Sequence, residues 1–135
     1  MSPGKIVGVR ISEGPCADRI VFDVEGGTPG WRVAYVKRIT EDATGNLLSV
    51  PGSERLLLVI RANAHDIDTG EISLKRNLPQ PLGFRLFRGL IFAGDFEGIT
   101  TIGIGLDGRL PFRTFSLPGP QPGHNRVVID VALRR

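Results

Sequence analysis

The groups able to do proton or metal chemistry in this 135-residue chain are few and scattered. His65, beside Asp66, and His124 are its two histidines, each in a polar stretch. A triad or a metal centre needs a convergence that this spacing does not supply, so both read as solvated loop residues. Asp95 and Glu97 flank Phe96 at i, i+2, which can point two carboxylates to one side, as in a hydrolase or a cation site. In a turn between strands the plainer reading is solvation or pairing with arginines. Cys16 is the single cysteine, which excludes an internal disulfide and a cysteine-based zinc cluster. It reads as a small buried or half-buried hydrophobe ahead of a strand. Gly103 and Gly105 lack the helix that a phosphate-cradling loop must precede. The inventory assigns no catalytic group, no metal and no cofactor.

Binding chemistry is better provided for. Sugars stack on Trp or Tyr faces, and carboxylated glycans suit guanidinium forks. Trp31 and Tyr35 fall on one face of a strand, with Arg32 on the other, and Arg113 holds the place matching Arg32 in a later aromatic strand. Arg85 and Arg88 add to an arginine-rich C-terminal half, although the formal charge is only +3. These six residues are the candidate binding set. The competing reading turns Trp31 and Tyr35 into the core and leaves the arginines as a solvated coat. A surface like this attracts polyanions in general, and nothing in it specifies nucleic acid.

Positioning such groups falls to strands. The 18 Gly and 10 Pro suit many short strands and turns, and no sustained helical period appears. A chain of this length buries about two-thirds of its unfolded surface in one core. Nine strands are expected, at 5–13, 18–25, 31–39, 47–50, 54–62, 84–94, 96–106, 112–117 and 125–131. The Gly/Pro-rich turn 26–30 is expected to fold 18–25 and 31–39 into a hairpin. Leu56 to Ile60 is an unbroken apolar run, which marks a strand covered on both faces, with a short helix as the alternative. Gly103 and Gly105 leave one strand face without bulk, as happens where another backbone or a ligand comes close. Residues 63–83 are irregular, and residues 1–4 are expected to be a disordered tail.

One stretch occurs twice. Asp18-Arg19-Ile20-Val21-Phe22-Asp23-Val24 returns as Asn125-Arg126-Val127-Val128-Ile129-Asp130-Val131. If the copies pair antiparallel about Val21 and Val128, Arg19 faces Asp130 and Arg126 faces Asp23. If they lie in different sheets, their Ile/Phe/Val and Val/Ile/Val faces meet in the core.

These strands, at 19–24, 31–36, 112–117 and 126–131, resemble the AMIN domains of bacterial envelope proteins. The closer similarity, over nearly the whole chain, is to the AMIN-like group of actinobacterial exported and lipid-anchored proteins, through residues 16–22, 30–36, 93–98, 103–106 and 111–113. The resemblance implies an all-β sandwich over 5–133, a non-catalytic role and an extracytoplasmic place in the envelope. It implies a cell-wall glycan, peptidoglycan above all, or an envelope protein as partner. The chain itself shows no apolar membrane-spanning stretch and no signal-peptide core at Met1-Ser2-Pro3-Gly4-Lys5. That leaves a cytosolic protein, or a mature form whose export signal has been removed.

Overall fold

A computed structural model of the chain describes residues 3–27 and 29–135. Met1 and Ser2 of the expected tail, and Thr28 of the expected turn, lie outside the described residues. Among the described residues the fold is all-β, with eleven strands: β1 (Gly4–Glu13), β2 (Ala17–Glu25), β3 (Trp31–Val36), β4 (Ile39–Thr40), β5 (Leu47–Leu48), β6 (Glu54–Ile60), β7 (Ala62–Asn63), β8 (Phe87–Phe96), β9 (Ile99–Leu106), β10 (Phe112–Pro118) and β11 (His124–Ala132). They form a five-stranded sheet ordered β10-β11-β2-β1-β7, a four-stranded sheet ordered β3-β6-β9-β8, and the small β4-β5 ribbon.

Period-two alternation drives the packing. Ile20, Phe22, Val24, Val127, Ile129 and Val131 point inward from one sheet and meet Leu56, Leu58, Ile60, Ile102, Ile104 and Leu106 from the other. Each such side chain, fully withdrawn from water, contributes roughly 1.5–3 kcal/mol before the entropy of ordering is charged against it. Asp18 joins the layers: fully buried, its Oδ2 accepts a hydrogen bond from the Phe87 N–H at 3.3 Å.

Eleven strands stand where nine were expected because two of the nine divide. The stretch 31–39 breaks into β3 and β4, and 54–62 into β6 and β7. In the second case the chain leaves one sheet for the other: β6 pairs β3 and β9, whereas β7 runs parallel to β1. Arg61 is the joint, its N–H donating to Gly30 O at 2.8 Å. The expected 18–25/31–39 hairpin does not form. Both edges of β2 are taken, by β1 and β11, and β3 pairs β6 in the opposite sheet. The connection after Gly27 is therefore a crossover, pinned at its start by the Gly26 N–H donating to Gly123 O at 2.8 Å.

β6 is covered on both faces. Leu57 faces a second cluster around Ile39, Val50 and Ala93, built by the β4–β5 ribbon lying across the four-stranded sheet. Gly103 and Gly105 admit that ribbon: a Cβ at Gly105 would strike the Pro51 carbonyl oxygen, and one at Gly103 would press on Ile39 and Ile91. The close neighbour is backbone at Gly105 and side chain at Gly103. The outer edge of β8 is blunted by Gln80, whose amide donates to Leu90 O at 2.9 Å and accepts from Leu90 N at 3.1 Å. Among the described residues no helix is long and apolar enough to cross a membrane.

Candidate functional site

The repeated strands pair in the antiparallel register centred on Val21 and Val128, with Arg19 opposite Asp130 and Arg126 opposite Asp23. The alternative, with the copies in separate sheets, is excluded. Because Ile20, Phe22 and Val24 face inward, the odd residues of β2 and the even residues of β11 project from the outer face of the five-stranded sheet. There Arg19 grips Asp130 with a two-pronged fork, at 2.7 and 2.9 Å. Arg113 of β10 reaches the same carboxylate at 3.1 and 3.2 Å. Asp23 takes a fork from Arg10 of β1 at 3.0 and 3.2 Å, with Arg126 at 3.6 Å.

Each carboxylate thus lies between two guanidinium groups. Arg19 first, and Arg113 with it, hold the Asp130 carboxyl below its usual range against the opposing effect of burial. Four cations against two anions leave this face two positive charges in excess. At Asp130 the carboxylate is sunk and the cation stands out, Asp130 being 6% and Arg113 73% exposed, whereas Asp23 and Arg126 are alike at 28% and 33%. Between the arginines, Val21, Val128 and Leu117 line a shallow groove that continues past Arg10 and Arg126 to His124 and the 119–121 loop. Phe115 lies beneath both Arg19 and Arg113, whose guanidinium carbons are 5.8 and 5.4 Å from its ring centre.

Of the six candidate residues, only Arg113 lies on this face. Trp31 and Tyr35 pack toward the core. Tyr35 is locked, its hydroxyl donating to Leu110 O at 2.6 Å and accepting from Leu110 N at 2.8 Å. Phe112 meets its ring edge-on and the Arg109 guanidinium carbon lies 4.9 Å from its centre. Burial pushes its phenol up. Arg32 is exposed on the opposite side of β3. Arg85 donates to Gly14 O at 2.9 Å and reaches Glu13 at 3.4 Å, and Arg88 bonds Asp107 at 2.5 Å and Phe84 O at 2.8 Å. Both thus brace the start of β8. The groove residues Arg10, Arg19 and Arg126 were not in the candidate set, although their outward register in alternating strands marks them.

The other reactive groups also moved from their expected places. His65 is not simply solvated: its Nδ1 lies 2.6 Å from Asp95 Oδ2, which also accepts from the Ala64 N–H at 3.2 Å. Asp95 and Glu97 do not act as a pair, since Asp95 is buried and Glu97 sits exposed in the hairpin tip. Asp95 pairs with a histidine rather than an arginine. Cys16, expected at least half-buried, is exposed at the β1–β2 turn.

The family model of the AMIN-like domain matches residues 4–133. The chain belongs to the AMIN-like domain family. Domains of this family are generally non-catalytic binding modules related to the cell envelope. No curated protein matches the sequence.

Proposed function

We propose that this AMIN-like domain is an extracytoplasmic targeting module that recognises peptidoglycan or another acidic wall glycan without transforming it. The observation that carries the reading is the outer face of the five-stranded sheet. Its four arginines surround only two carboxylates, and a groove with an apolar floor runs between them. Guanidinium forks suit carboxylates, and valine and leucine methyls suit the apolar faces of sugar rings. The asparate partners hold the arginines in place, so little side-chain entropy is lost on binding.

Purified wall sacculi test it. The domain is expected to co-sediment at moderate salt, and Arg10→Gln with Arg113→Gln to weaken retention about tenfold while the fold persists, since Asp130 keeps its Arg19 fork and Asp23 keeps Arg126. No binding at low or moderate salt overturns the reading. Binding abolished by modest salt marks general polyanion attraction instead. A protein partner is the second reading, favoured by Ile67, Ile72 and Leu82, which are exposed in the irregular 63–83 segment.

A further inference from the structure

The opposite sheet carries chemistry of the opposite sign. At the tip of the β8–β9 hairpin Glu97 and Gly98 both have positive φ, 52° and 78°. That pair of left-handed residues makes a tight two-residue turn matched to strand twist, in a conformation a glutamate seldom takes. The turn holds Phe96 with its ring in solvent, 68% exposed, the one exposed phenylalanine among the described residues. Beneath it a cleft of about 440 Å³ opens along the β8 edge. Its lining includes Phe92 and Phe96, the acidic residues Glu41, Asp42 and Asp95, and Arg76.

Three observations indicate what the cleft takes. Three acidic residues and one arginine line the cleft, so an anionic ligand is repelled and a cation attracted. Asp95, with its side chain 7% exposed, spends Oδ2 on Ala64 and His65, while its buried Oδ1 has no hydrogen-bond partner among the described residues. A buried carboxylate oxygen without a donor is costly, and a ligand N–H would relieve it. Arg76 already places its guanidinium carbon 4.6 Å from the centre of the Phe92 ring, which shows that an aromatic face here accepts an alkyl-borne cation. Glu41 is partly engaged, accepting from the Thr44 hydroxyl at 2.7 Å.

We propose that this cleft binds the cationic end of a lysine or arginine side chain of a peptide. The alkyl stem lies against Phe96 and the charged head reaches the Asp42 and Asp95 carboxylates. Arg76 occupies part of the site in the ligand-free protein and leaves Phe92 when the ligand enters. This site is separate from the arginine-lined groove and stands whether or not that groove binds a glycan.

Backbone amide shifts of the full chain, titrated with N-acetyl-lysine amide and N-acetyl-arginine amide, provide the test. N-acetyl-norleucine amide serves as the uncharged control and glucosamine as a cation without an alkyl stem. Saturable shifts at Gly94, Asp95 and Phe96 are expected with dissociation constants on the order of millimolar, as suits so small a ligand. Norleucine and glucosamine derivatives bind at least about tenfold more weakly if charge and stem both count. Phe96→Ala weakens lysine binding about two- to fivefold, the scale of an exposed cation–π contact, and Asp42→Asn acts in the same direction. Arg76→Ala strengthens it by removing the competing cation. Retained spectral dispersion in each variant shows that the fold survives. The proposal is overturned if neither cationic probe saturates, if norleucine or glucosamine binds as well as lysine, or if Arg76→Ala weakens binding.

Discussion

Asp130 and Asp18 are two buried carboxylates with opposite consequences for stability. The Asp130 carboxyl is held low, mainly by the Arg19 fork, so its contribution is present above the ordinary aspartate range and is lost as pH falls through its own lower value. Asp130→Ala is expected to cost about 1–2 kcal/mol at neutral pH, discounted because the freed arginines are largely solvated. Asp18 is pushed up by burial, so its contribution is greatest below the ordinary aspartate value near 3.9 and is lost as pH rises through the raised one. Asp18→Asn keeps an acceptor for the Phe87 N–H and removes the buried charge. That variant is expected to be more stable than the parent at neutral pH and less stable relative to it in acid. Urea titrations at a series of pH values check both signs, and an Asp18→Asn protein destabilised equally at every pH would show that packing outweighs charge.

Among the elements, the β4–β5 ribbon depends most on missing side chains. It lies on β9 only because Gly103 and Gly105 present no Cβ, yet the two positions are not equivalent. At Gly105 the obstacle is the Pro51 backbone, which cannot turn aside; at Gly103 it is the γ carbons of the Ile39 and Ile91 side chains, which need give by only a few tenths of an ångström. Gly105→Ala is therefore expected to cost about 2–3 kcal/mol and Gly103→Ala about 1 kcal/mol, the range of overpacked interiors. Thermal or urea melts of the two single variants measure this, and equal losses would argue that the ribbon moves as a rigid body. The glycine pair was legible in the sequence as a place of close approach. That the visitor is residues 39–51 was not, because those residues contact β9 only after the intervening chain has folded.

For the whole molecule, the central fact is that β2 and β11, from opposite ends of the chain, are neighbours in one sheet. The β10–β11 hairpin is thus a structural wall, and its loss bares one edge of β2 and removes Val127, Ile129 and Val131 from the core. A chain ending before His124 is expected to show no cooperative unfolding transition. The intact domain is expected to refold in milliseconds to seconds, as suits a fold of distant strand pairings. Stopped-flow refolding and circular dichroism decide both points. A truncated chain that still melts cooperatively would place the folding unit in the four-stranded sheet alone.

The sequence alone determined the all-β class, nearly every strand position, and which residues of a strand share a face. All of these rest on period-two alternation and on local turn chemistry, which act over a few residues. It also narrowed the repeated strands to two arrangements, of which the antiparallel register about Val21 and Val128 is the one adopted. The tertiary structure alone decided which strands share a sheet. The Gly/Pro-rich stretch after β2 has the composition of a hairpin turn, yet the chain crosses over there, because both edges of β2 already had partners. That choice turned Trp31 and Tyr35 toward the core and gathered Arg10, Arg19, Arg113 and Arg126 on one outer face. It also brought Asp95 to His65 and Arg76 to Phe92. Such sites join residues far apart in the chain, and their spacing becomes visible only once the two sheets have closed on each other.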